Sequence, residues 1–169
     1  MTPDQVRSAL HARRVRGHTN TKPCVQDYLA QHKRVVPISG PGHCVQEIDA
    51  KYAGGWLLVF FTEDLPEHPG VSTVTTIALN YPTDSSAVEG VVRKAGAPSL
   101  TDGETPWTVA MWCFDLPCTD MNATLHEPNR GRTLLVDRAA GLTLDLGAGR
   151  ARDAAATRIL RAHGVTLEP

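Results

Sequence analysis

Aromatic side chains are scarce in this sequence: three Trp, three Tyr and three Phe amount to 5% of 169 residues. A core with so few rings must be filled by Val, Leu, Ile and Ala. Long apolar runs are missing too. The longest is "WLLVFF", residues 56–61, whereas a helix that crosses a bilayer takes about 20 apolar residues. The N-terminal stretch "MTPDQVRSALHARRVRG" has no apolar h-region of the kind a secretory signal carries. These absences lead to the expectation of a cytoplasmic protein with no membrane partner. In a reducing compartment, four cysteines are expected to be free thiols, metal ligands or a nucleophile rather than disulfides.

The familiar chemical motifs are also missing. There is no G-x-x-x-x-G-K-S/T phosphate loop and no G-x-S-x-G elbow. "GPG" at 40–42 lacks the third glycine of a dinucleotide loop. His126-Glu127 is followed by Pro-Asn-Arg, which excludes an H-E-x-x-H zinc helix. "PCTDM", 117–121, has Met121 where a zinc deaminase carries its second cysteine. "LTLDLGAGRARDAAATRIL", residues 142–160, resembles the nucleotide-binding motif of class I methyltransferases over about eight residues: an acid at a strand end (Asp145), Gly147 and Gly149 in a turn, then a helix. Ala151 stands at the third glycine position, and the strands of a doubly wound sheet do not follow. The expectation is a hairpin whose last strand turns into a C-terminal helix.

What is present fits one folded domain over 1–169, with 41% apolar and 21% charged residues. The net charge of −1 is uneven: +5 over residues 1–34, −8 over 35–130 and +2 over 131–169. Residues 1–34 read as a basic helical N-terminal arm. Such an arm can touch phosphate, but no basic–aromatic pattern accompanies it, so nucleic acid is not the favoured partner.

Thr2, Pro3 and Gln5 spell a helix start, with a capping box and Pro at the first turn. A second helix is predicted over 23–33, a third over 84–96 and a last over 150–163. "WLLVFFT" (56–62), "VSTVTTIAL" (71–79) and "WTVAMWCF" (107–114) read as strands. "TLLVD-RAAG-LTLDL" reads as a hairpin with Gly141 in its turn. Residues 115–132 read as one long loop. The fold expected is α+β: a mainly antiparallel sheet of five or six strands, with helices at the N-terminus, in the middle and at the C-terminus, packed on one face.

Three functions compete. In "PISGPGHCVQEID" (37–49) a Gly-Pro-Gly loop presents Cys44, a candidate nucleophile for a hydrolase or transferase, with His68 or His126 as base. The structural alternative is a turn that enters a strand, "CVQEI". Cys113 and Cys118, in "CFDLPC", can hold half a zinc site, with Cys24 and Cys44 as the other half. Alternation over 107–114 places Trp107 and Trp112 on opposite faces, so one of them needs cover from outside the main core. The leading expectation is therefore a small intracellular domain without a cofactor, which binds a protein partner or its own copy through Trp107 or Trp112.

Overall fold

The computed structural model describes residues 1–25, 43–65, 68–103, 106–126 and 131–165. Helix α1 (Pro3–Ala12) begins as its sequence predicts. The Thr2 hydroxyl accepts from the Gln5 N–H, the Gln5 side chain accepts from the Thr2 N–H, and Val6 and Leu10 form the buried edge. There follow β1 (Gly17–Pro23), β2 (His43–Tyr52), β3 (Gly55–Asp64), β4 (His68–Asn80), α2 (Ser85–Ala95), β5 (Leu100–Asp102), β6 (Val109–Cys113), α3 (Met121–His126), β7 (Thr133–Asp137), β8 (Gly141–Asp145) and α4 (Gly149–Ala162).

The eight strands form one sheet in the order β1-β2-β3-β4-β8-β7-β6-β5, with every neighbouring pair antiparallel. The order has a centre. Two four-stranded meanders, each preceded by a helix, meet where β4 pairs with β8.

Pairing puts Leu57, Leu79, Leu142, Val136 and Ala110 in one row, each opposite the next. Residues directly opposite share a face, so this row marks one side of the sheet. Helices α1 and α2 both cover that side. Val6 and Leu10 pack with Ile48, Ala50, Val59 and Phe61. Val88 of α2 packs with Leu79, Val136 and Trp112. Helix α4 lies on the other side, next to Phe60 and Thr62. It is bolted there by Arg152, whose Nε donates to the Asp64 carboxylate at 2.8 Å and whose guanidinium also donates to the Thr73 hydroxyl. Both faces therefore carry a helix, where the sequence pattern predicts one.

The class is as expected, and the strand count is higher. Strand β1, "GHTNTKP", is mostly exposed. An edge strand of this composition lacks the apolar alternation that identifies a strand. Strand β5 has three residues and helix α3 six, both too short for periodicity. The basic arm is not a free helix in its described part. Residues 17–23 pair with β2, and the Met1 carbonyl accepts from the Val74 N–H at 3.0 Å. The helix predicted over 23–33 falls mainly outside the described residues, as does the Gly-Pro-Gly loop. "CVQEI" is a strand, within β2.

The β2–β3 turn is tight. Ala53 and Gly54 both have positive φ, 53° and 75°, the pattern of a two-residue primed hairpin. A Cβ on Gly54 would lie 1.6 Å from the Thr83 hydroxyl oxygen, and one on Gly55 2.4 Å from the Asn80 carbonyl oxygen. The Ala53 carbonyl accepts from the Asp84 N–H at 3.0 Å, so the turn is strapped to the start of α2. Ala53→Gly is expected to raise stability by up to about 1 kcal/mol through relief of left-handed strain. Gly54→Ala is expected to lower it by at least about 2 kcal/mol. Urea titrations of the two variants check both signs.

Candidate functional site

The β1–β2 pairing sets Lys22 opposite Cys44 and Pro23 opposite His43, which delivers Cys24 to Cys44. They form a disulfide with 5.1 Å between their Cα atoms, within the usual span. Cys113 and Cys118 form a second, at 6.2 Å. All four cysteines are paired, where the sequence favours other roles. A separation of 20 residues does not reveal a hairpin-like pairing when the strand on one side, β1, is itself hidden.

The four cysteines do not meet at one point. Strands β2 and β6 are five steps apart in the sheet, roughly 24 Å at the usual strand spacing. The structure instead gathers Cys24, Cys44 and Glu63, whose ligand atoms all lie within 4.8 Å of one another. All three residues are buried. One Glu63 carboxylate oxygen accepts from the Val25 N–H at 2.9 Å, the other from the Gly70 N–H at 2.6 Å. The only trace of Glu63 in the sequence is an acid at the end of an apolar strand.

Cys44, with its sulfur bonded to Cys24, presents no thiolate in this form. His68 opens β4 with its backbone opposite Asp64, and His126 closes α3. The side chains of both histidines lie outside the described residues, as does Glu127. Asp145 shapes the turn after β8 by accepting from the Gly147 N–H at 2.7 Å. Strand β8 is antiparallel to both of its neighbours, so "DLGAG" does not open a parallel nucleotide-binding sheet.

Trp107 and Trp112 sit together rather than on opposite faces. Trp107 precedes β6, which begins at Val109, so strand alternation does not reach it. Its ring meets Trp112 edge-on at 5.8 Å, with the Arg138 guanidinium 4.3 Å over its other flank. Trp112 is buried and donates its indole N–H to the Gly96 carbonyl at 3.0 Å. Both belong to the core cluster under α2.

Phe114, just past the end of β6, is 47% exposed, and the other exposed aromatics lie elsewhere. Tyr52, Trp56 and Tyr81, at 39%, 46% and 69% exposure, flank the β2–β3 turn. Lys51, opposite Trp56 on the neighbouring strand, places its ammonium 5.5 Å from the indole centre. Tyr81 has φ 49°, a costly conformation for a bulky residue. Its N–H is anchored to the Ala140 carbonyl at 2.7 Å. Among the described residues, two of the three non-glycine residues with positive φ, Ala53 and Tyr81, are at or beside this tip. An apolar groove of about 380 Å³ adjoins it, bounded by Leu10, Arg13, Tyr52, Leu57 and Ile77. The β2–β3 register sets Tyr52 on the α1 side, where it lines the groove, and Trp56 on the opposite side, and no strand pattern marks Tyr81, which follows β4.

No protein-family model, curated protein or solved structure matches the chain.

The segment after β6 is pinned by charge as well as sulfur. The Arg132 guanidinium and backbone N–H donate to the Asp115 carboxylate, the shortest of these bonds at 2.7 Å. They hold the Asp115 carboxyl at about 2, below its ordinary 3.8. A depressed pKa means that the ionised form is favoured in the fold. The contribution is complete above 3.8 and is lost as pH falls through about 2. Carboxyl NMR shifts are expected to give a midpoint of about 2 for Asp115, moving back toward 3.8 in Arg132→Ala.

Proposed function

We propose that this chain is a protein-binding domain that docks a partner on the β2–β3 tip and the groove beside it. The observation that carries the reading is the exposure of Tyr52, Trp56 and Tyr81 around one turn whose backbone is strained and strapped, with Tyr52 on the groove side of the sheet and Trp56 on the other. Strain in a bulky, largely exposed residue calls for a reason outside the free protein's stability. Tyr and Trp are the side chains that most often anchor protein interfaces. The Lys51 ammonium over Trp56 limits the indole's motion, which reduces the ordering cost of binding.

Area decides how much surface must be involved. A half-exposed aromatic offers on the order of 100 Å², so three give roughly 300 Å². A stable interface needs about 800 Å² from each side. The tip alone is too small, and the groove must contribute. Its apolar floor and the Arg13 guanidinium at its rim suit a partner segment with an apolar anchor beside an acidic group. Arg14 and Arg16 extend the positive charge past the end of α1. The reading requires no cofactor, and the two disulfides suit an oxidising compartment better than the cytoplasmic one expected from the sequence. A cysteine-dependent enzyme built on Cys44 would first need the bond to Cys24 opened.

The test uses partner candidates captured by the wild-type chain and titrated by calorimetry against variants. Trp56→Ala and Tyr81→Ala are each expected to weaken binding by about thirty-fold or more, the size of an anchor residue, with an unchanged melting temperature. Trp107→Ala is expected to lower the melting temperature and leave the affinity of the folded fraction intact. Equal affinity of wild type and both tip variants would sink the reading. Sedimentation of the chain alone shows whether the partner is a second copy, since a dimer at the tip would dissociate in the same variants.

A further inference from the structure

We propose that Cys24, Cys44 and Glu63 form a zinc site when the disulfide between the two cysteines is reduced, so that this end of the sheet is closed by a covalent bond in one redox state and by a metal ion in the other. The three residues are buried and their ligand atoms already lie within 4.8 Å of one another. Two thiolates and a carboxylate match the preference of Zn²⁺ for sulfur with an oxygen donor, and leave one tetrahedral position for an outside ligand. Thiolates bound to one Zn²⁺ stand about 4 Å apart, a spacing that side-chain rotation can supply on Cα atoms held close by strand pairing. Backbone geometry meets this condition, with the two Cα atoms 5.1 Å apart.

Glu63 supplies the second line of argument. Its two oxygens each accept one backbone N–H, from Val25 and Gly70. Each oxygen keeps a lone pair, and the carboxylate is held in place by the outer hydrogen bonds that orient metal-binding carboxylates. The neighbouring acid, Asp64, is already neutralised by Arg152. Among the described residues, Glu63 has no such cation. A divalent ion offsets the two thiolates and sets a positive centre directly against the carboxylate, leaving the cluster at the same net charge as the disulfide form.

The chemistry balances with a dithiol reductant. Two electrons and two protons pass from the dithiol to the protein. The Cys24–Cys44 bond breaks, two thiols form, and the reductant leaves as its own disulfide. Zn²⁺ then takes both sulfurs and a Glu63 oxygen, and the two thiol protons go to solvent.

The experiment measures retained zinc on the full chain after reduction with a phosphine, addition of Zn²⁺ alone and removal of excess metal. One equivalent per chain is expected. Reoxidation should release it, and renewed reduction should restore the capacity; this cycle needs no mutation. Co²⁺ in place of Zn²⁺ should give thiolate charge-transfer absorption. Glu63→Gln should weaken binding at least ten-fold, and Cys44→Ser should abolish it. Cys113→Ser and Trp56→Ala should leave it unchanged. The proposal is overturned if the reduced chain retains no zinc, if the oxidised chain retains as much, or if Cys113→Ser removes the metal while Cys44→Ser does not.

Discussion

The pairing of β4 with β8 is the joint on which the molecule depends. Five residue pairs, from Thr76↔Asp145 to Asn80↔Gly141, form the paired seam between the two meanders, and the Tyr81–Ala140 and Leu146–Thr75 backbone bonds extend it at its two ends. Each meander has an apolar face covered by its own helix. At the seam, Leu79 stands opposite Leu142 and Ile77 opposite Leu144, so the cores under α1 and α2 run into one another. A one-residue slip would turn this row toward the opposite face. Gly141 guards the register. A Cβ there would come within 1.9 Å of the Leu79 carbonyl oxygen, and its φ of 123° suits glycine. With a larger residue the strands could not approach at that point.

The length of β4 follows from this role. At 13 residues it is the longest strand, and only its C-terminal part reaches β8. The remainder pairs with β3 and anchors the other face. A bulge in β4, where Phe60 pairs with Thr76 and Phe61 with Val74, frees backbone groups that a regular ladder would use. The Val74 N–H donates to the Met1 carbonyl, and the Thr75 carbonyl accepts from the Leu146 N–H at 2.8 Å. One irregularity therefore ties down the start of the chain on one hand and the approach to α4 on the other.

How far the sequence revealed this depends on how each element announces itself. Helices α1, α2 and α4 carry caps and stripes, and the central strands are apolar or β-branched, so their type is legible one element at a time. Strand β1 is polar because it is an edge, and polarity looks like loop. The candidate sites failed to show for a related reason. Trp107 and Trp112 are conspicuous as letters, yet the chain enters β6 only after Trp107. Their relation depends on where a strand starts, which is the least certain property of a sequence pattern. Glu63 and Cys24 meet Cys44 only through three adjacent strands, and no spacing in one dimension encodes that.

Strands β2 and β3 connect the two unusual ends. Cys44 stands near the start of β2 and Tyr52 closes it; Trp56 stands near the start of β3 and Glu63 near its end. The separation is about 25 Å along strands of this length. At one end the disulfide and the Glu63 carboxylate are buried, the carboxylate satisfied by backbone donors. At the other, apolar rings are left in water on a turn that two left-handed residues make more costly. Folding alone explains the first arrangement, because a buried carboxylate must find donors and a disulfide closes a loop. It does not explain the second. With only nine aromatic residues in the chain, the three at the tip would contribute more to stability inside the core than outside it. On the binding reading proposed above, a partner surface accounts for their position.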